Sequence, residues 1–246
     1  MEEQARPPLL PHFLRLFFLQ ALWNYQNLQG TGFLFALIPF LSKQKDKEDE
    51  DHAKYHGFFN AHPYMASLAI GATLRREATS SQDRISIQEY HNTLAGPLGL
   101  VGDSLFWRTT KPACALLGIL ISYIIYGDSL APIAAVAGFL LVYNVTHFRI
   151  RWWGLRRGWE LGDNVLAALR EPLMVRLLKS ATVEGAIFLG MATAAIFATA
   201  ATLSIWGPTI MVVGGLWAWL GTQLRLPVTW VVAISMLMLL LGASFL

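Results

Sequence analysis

Between residues 112 and 148 the chain carries one charged side chain, Asp128, and between residues 180 and 246 only two, Glu184 and Arg225. Each stretch holds apolar runs of about 18 residues, the length a helix needs to cross roughly 30 Å of hydrocarbon. Lipid offers no hydrogen-bond partners, so a spanning segment must satisfy its backbone internally, as a helix does. Charged residues make up 14% of the sequence, against about 25% in soluble domains. The pattern predicts an all-α polytopic membrane protein, with transmembrane helices plus broken or re-entrant and amphipathic interfacial helices.

Spans are expected at 113–126, 130–146, 183–204, 209–224 and 228–246. The connector from 147 to 179 has seven Lys/Arg against three acids, the usual mark of a cytoplasmic-side loop. Trp152, Trp153 and Trp159 suit an aromatic belt, and 167–179 suits an amphipathic interfacial helix. This connector explains most of the net charge of +3. No basic face with interleaved aromatics occurs, which argues against a nucleic-acid partner. Residues 43–54 read as solvated and as a helix start, and 78–84 as a polar loop. Residues 1–8 are acidic first and lack a small-residue cleavage site, so they do not read as a signal peptide. Cys114, at the start of an apolar span, reads as a buried structural thiol.

The apolar stretch 13–41 is interrupted by five amides and an indole: Gln20, Trp23, Asn24, Gln26, Asn27 and Gln29. Amides at membrane depth cost free energy unless they meet partners, so the cluster must face protein or a polar cavity. A helix with a disturbed middle, stopping at Pro39, is expected. Trp23, Asn24, Gln26 and Gln29 have sugar-site chemistry, because amides donate and accept for hydroxyls while an indole face stacks on C–H patches. Interhelical bonding to a partner subunit is an equally good use of the same amides. Downstream, 94–107 is apolar but too short to span, glycine-rich and ends near Asp103, as a re-entrant or half-helix segment does.

Two chemical signatures fail on context. Gly102-Asp103-Ser104-Leu105 spells a hydrolase string, but its Asp-x-x-His counterpart, Asp49 and His52, lies upstream in a charged segment. His52 and His56, with His62 nearby, could share a metal, yet no carboxylate is placed with them; imidazoles capping turns are the better account. Neither a metal nor a cofactor is expected.

Phe18-x-Gln20-x-x-Trp23-Asn24-Tyr25-x-x-x-Gln29 is followed by His56-x-Phe58-Phe59-Asn60-x-His62-Pro63. Then come Gly96-Pro97-Leu98-x-x-Val101-Gly102-Asp103, Tyr143-Asn144, Gly154, Gly158 and Glu184-Gly185-Ala186 with Gly190. This ordered set, from about residue 12 to 190, resembles the IID subunit of mannose-type (mannose/fructose/sorbose) phosphotransferase system permeases.

The resemblance implies one IID-type membrane domain over 1–246. Its motif-rich half would be 12–111, and its spans would lie in 112–246 around the basic connector 147–180. It implies a non-enzymatic, multi-pass subunit of the bacterial inner (cytoplasmic) membrane that translocates a hexose-like sugar with a IIC partner in a hetero-oligomer. Soluble IIA and IIB proteins would carry the phosphate. It also makes Trp23, Asn24, Gln26, Gln29, Asn60, His62 and Asp103 the expected substrate-binding residues. The chain departs from the pattern at four places. Gln26 stands for an acid, Arg76-Glu77 for a Glu-Glu pair, and Gly99-Leu100 for Ala-Gly, while a C-terminal insertion is missing. A degenerate or regulatory subunit that assembles with IIC without touching substrate is the alternative.

Overall fold

A computed structural model describes residues 6–43, 54–79, 86–125, 127–200, 207–224 and 226. Most of 43–54 and 78–84, and the expected span at 228–246, lie outside the described residues. The regular structure described is helical. Helix α1 (Leu9–Arg15) tightens into a 3-10 turn (Leu16–Phe18), and α2 (Gly30–Leu41) and α3 (Ala66–Ala78) follow. Helix α4 (Ile87–Gly102) passes through a π-helical segment (Asp103–Thr110) into α5 (Lys111–Ile124). Helix α6 (Ala131–Leu161), a 3-10 stretch (Gly162–Arg170), α7 (Pro172–Ala200) and α8 (Gly207–Gln223) complete the set. The chain forms two compact units, one from Met1–Ser104 with Thr146–Val175, the other from Leu105–Val145 with Arg176–Leu246.

Helix α3 is the axis of the first unit, with every residue from Ala66 to Leu74 buried. It crosses the C-terminal half of α6 at backbone contact. A Cβ on Gly158 would strike the Leu68 carbonyl and one on Gly71 the Leu155 carbonyl, whereas one on Gly154 would meet the Ser67 hydroxyl. Small residues let the two helices approach this closely. Trp159, expected in the aromatic belt, is instead buried at this crossing with the Arg75 guanidinium 5.4 Å from its ring centre. The α3 C-terminus is fixed by Arg76, 3.1 Å from the Asp163 carboxylate and 4.9 Å from the Tyr90 ring centre.

Helix α2 runs through Pro39 to Leu41 rather than stopping there. Proline has no N–H to offer the carbonyl four residues back, which here is Phe35. Arg15 Nη1 donates to that oxygen at 3.1 Å, and His12 Nδ1 donates to the adjacent Ala36 carbonyl at 2.6 Å. Two side chains of α1 thus supply donors where the proline disturbs α2.

The Arg-rich connector is also more regular than expected. Its first half continues α6, and the expected interfacial helix 167–179 is divided at Glu171, whose extended backbone (ψ 148°) precedes Pro172 at the head of α7. A residue before proline is pushed out of the helical region, and proline suits a first helical position. Arg157 ties the break to α6, its Nε donating to Glu171 Oε1 at 2.9 Å. The segment 94–107 lies within α4 and the π-helical turns; Pro112 removes a donor just beyond, and wide turns are one way a helix absorbs such a defect.

In the second unit, α5 and α6 form a hairpin. The lone Asp128 sits in its turn, accepting from Leu130 N at 2.8 Å, beside Gly127 at φ 88°. Leu120 is buried among Leu116, Tyr123, Phe188 and Met191. Cys114 is buried, as expected. Ile133, Val136, Leu140, Leu141, Val212, Val213 and Leu216 are exposed, so this unit presents an apolar surface with no polar interruption among these positions. The stretch Ala131–Met191 contains a window long and apolar enough to cross a membrane.

Candidate functional site

The amides of the first apolar stretch lie in an irregular loop between the 3-10 turn and α2. Asn24 Oδ1 accepts from the backbone N–H groups of Gln26 and Asn27 at 2.9 and 3.0 Å, an Asx-type turn. Its Nδ2 donates to Asn27 Oδ1 at 2.7 Å and Thr31 Oγ1 at 3.2 Å. The loop closes on itself through Asn24 N to Leu28 O at 3.2 Å and Leu28 N to Asn24 O at 3.0 Å. Leu28 holds φ 54°, a left-handed conformation that costs about 1–3 kcal/mol in a non-glycine residue.

A second loop, 54–65, locks onto the first. Gln29 N donates to Phe59 O at 2.9 Å and Phe59 N to Asn27 O at 3.2 Å. The Gln29 side chain clamps the Ala61 peptide from both sides, Nε2 to Ala61 O at 2.7 Å and Ala61 N to Oε1 at 3.2 Å. Asn27 Nδ2 reaches both His56 Nε2, at 3.1 Å, and His56 O, at 3.0 Å. The start of α4 closes the ring, with Gln88 Nε2 donating to Phe58 O at 2.7 Å. That helix begins in a capping box in which Ser86 and Glu89 exchange hydrogen bonds, which hold the Glu89 carboxyl below its ordinary pKa.

The expected site residues divide into two groups. Trp23, Gln26, Asn60 and Asp103 are exposed, and Tyr25, at the loop tip between Trp23 and Gln26, is 92% exposed. Gln29 and His62 are buried, and Asn24 is half-buried with both side-chain polar atoms engaged within the loop. The structure brings Asn60, His62 and Asp103 to one end of α4. A Cβ on Gly99 would lie 4.0 Å from Ala61 Cα, one on Gly102 would overlap His62, and Asp103 is the next residue. His62 Nδ1 accepts from Tyr64 N at 3.3 Å; burial, with Arg151 adding to it, pushes its pKa down to about 4.

Three supporting residues were not among the expected site residues. Asn27 is the hub, accepting from Asn24 and Thr31 and donating twice to His56. The spacing Asn24-x-x-Asn27-x-x-x-Thr31 is the trace it leaves in the sequence. Arg151, 5% exposed, donates to Leu16 O at 2.8 Å, with its guanidinium 4.6 Å from the Phe17 ring centre and 4.7 Å from that of Tyr64. His91 sits between α3 and the loops, Nε2 3.2 Å from Thr73 Oγ1 and its ring 4.4 Å from that of Phe33. Burial, with Arg76 adding to it, pushes its pKa down to about 4. Among the described residues no three His, Cys, Asp or Glu side chains gather as a metal site.

Fold and sequence together define a helical membrane protein whose loops carry a hydrogen-bonded polar platform. The family profile described as "PTS system mannose/fructose/sorbose family IID component" matches residues 8–238. The chain belongs to that family, the membrane EIID components of sugar phosphotransferase systems. The mannose-specific EIID component of Escherichia coli K12 is 27% identical over 186 residues, covering 72% of this chain and 64% of the relative. The sorbose-specific EIID component of Klebsiella pneumoniae is 29% identical over 190 residues, covering 74% and 67%. The fructose permease IID component of Bacillus subtilis is 26% identical over 200 residues, covering 77% and 70%. The chain thus spans 64% of the length of the first of these relatives. Among solved structures, one described as a membrane protein superposes with TM-score 0.63 at 26% identity, covering 77% of this chain and 70% of that one. The mannose transporter ManYZ in complex with microcin E492 gives TM-score 0.55 at 21% identity, covering 95% and 94%, and speaks for the fold alone.

Proposed function

We propose that this chain is the IID subunit of a bacterial inner-membrane sugar permease. In this reading it works in a hetero-oligomer with a IIC membrane partner to translocate a hexose-like sugar that separate IIA and IIB proteins phosphorylate. Trp23, Gln26, Asn60 and Asp103 face the sugar path, while Asn24, Gln29 and His62 hold the loops that present them. The observation that carries this division is hydrogen-bond saturation. Asn24 accepts twice and donates twice, to partners in its own loop and to Thr31 at the start of α2, and Gln29 is spent on the Ala61 peptide, whereas the first four are exposed.

The same saturation favours a second reading, in which the platform is structural and the subunit assembles with IIC without touching substrate. Chemical labelling at Cys introduced by Asn60→Cys, in the assembled complex with and without sugar, separates them. Protection by one sugar of a tested panel supports contact; equal reactivity with every sugar, in a complex that still transports, leaves only the structural role. Asn24→Leu lowers the cost of membrane insertion yet removes the four hydrogen bonds of the Asn24 side chain. It is expected to insert normally and to lose uptake or IIC assembly, and unchanged uptake would refute the importance of the loop.

A further inference from the structure

A shallow cavity of about 330 Å³, largely open to the surface, lies between the start of the described chain and the far half of α6, lined by Arg6, Pro7, Leu9, Trp152 and Arg156. Trp152 and Arg156 stand four apart on α6 and so share a face. Phe13 packs edge-on against Trp152 at 5.3 Å, fixing α1 beside that face. Two guanidiniums therefore border a cavity whose remaining walls are apolar. Arg156 is 52% exposed, and its Nη2 lies 4.0 Å from the Glu160 carboxylate, a weak surface pair.

Leu9 is buried, and the next residue along α1 begins an exposed apolar stripe. Leu10, Leu14 and Phe18, four residues apart on α1 and its 3-10 extension, are 58%, 55% and 55% exposed. The platform amides described above leave this stripe and this cavity without a role.

We propose that the cavity binds the headgroup of an anionic glycerophospholipid. The phosphodiester sits between Arg6 and Arg156, and the acyl chains lie along Leu10, Leu14 and Phe18. Guanidinium forks match phosphate oxygens in pairs, and an indole beside them suits the headgroup level of a bilayer. A free anion would use the guanidiniums but gain nothing from the stripe. A lipid uses both.

The test is native mass spectrometry of the full chain, delipidated in detergent and titrated with phosphatidylglycerol, with phosphatidylcholine and with inorganic phosphate. The expected result is retention of phosphatidylglycerol over phosphatidylcholine by the wild type. Arg6→Gln combined with Arg156→Gln should weaken it roughly tenfold to thirtyfold, the scale of losing two basic groups at a membrane surface. Arg170→Gln, an exposed arginine outside the cavity, should change nothing. Equal retention of both lipids by the wild type overturns the proposal without reference to any variant. So does unchanged retention by the double variant. Displacement of the lipid by millimolar phosphate would assign the cavity to a free anion, and its displacement by a co-purified IIC partner would assign the stripe to a protein.

Discussion

Arg15 and His12 spend their polar atoms on α2 carbonyls around Pro39, at 3.1 and 2.6 Å. If Arg15 serves the acceptor that the proline strands, its value depends on the proline being there. Arg15→Met should cost about 1 kcal/mol, the scale of one lost hydrogen bond. In a Pro39→Ala background, where residue 39 regains its N–H, it should cost measurably less. A thermodynamic cycle on the purified protein reads the coupling; additive effects would mean that Arg15 acts elsewhere. His91 permits a second residue-scale prediction. Its folded pKa, about 4, lies below the ordinary 6.5, so the unfolded chain binds the extra proton first. The stability that neutral His91 contributes is complete above pH 6.5 and is lost as pH falls toward 4. His91→Gln does not titrate, so the stability difference between wild type and variant should be flat above pH 6.5 and shift in favour of the variant below it. A difference that stays constant across that window would remove His91 from the acid response. At this scale the sequence told that the amides need partners but not which ones. Gln29 binds a peptide 32 residues away, a pairing that no local pattern encodes.

Helix α3 and the second half of α6 meet through glycines, and the obstacles to added side chains differ in kind. At Gly158 the obstacle is the Leu68 backbone carbonyl; at Gly154 it is the hydroxyl end of Ser67. Backbone cannot step aside without moving a helix, whereas a serine can change rotamer. Gly158→Ala should therefore lower the melting temperature sharply, as overpacking costing roughly 1–3 kcal/mol does, and Gly154→Ala should lower it less. Equal losses would show that the crossing resists both positions alike. Hydropathy found the stretches inside α5 and α6 and placed Asp128 correctly between them, because burial in lipid leaves a compositional signal. It missed that α6 continues through the Arg-rich segment. There one face carries Trp152 and Arg156 outward while Gly154, Leu155, Gly158 and Trp159 pack inward, which no apolar average detects. The π-helical turns were equally invisible, since they arise from how the backbone absorbs a helix defect and not from side-chain patterning.

For the whole molecule the open position is Gln26, where the related pattern has an acid. The residue lies on the exposed tip of a loop whose conformation is set by other groups. Its own recorded bond there is its backbone N–H to Asn24. A change of side chain at Gln26 is therefore free to alter recognition without disturbing the platform, unlike a change at Asn27 or Gln29. Gln26→Glu should leave the unfolding free energy within about 0.5 kcal/mol of wild type, as surface substitutions do, and leave assembly with a IIC partner intact. If the tip faces the sugar path, the variant should change the rank order of sugars taken up by the reconstituted system. A carboxylate accepts from two hydroxyls where an amide accepts and donates, so the two select different hydroxyl arrangements. Uptake assayed across a hexose panel, with assembly verified by co-purification, makes the comparison. An unchanged rank order alongside intact assembly would place the tip outside the sugar path and leave the platform as the surface on which the permease is built.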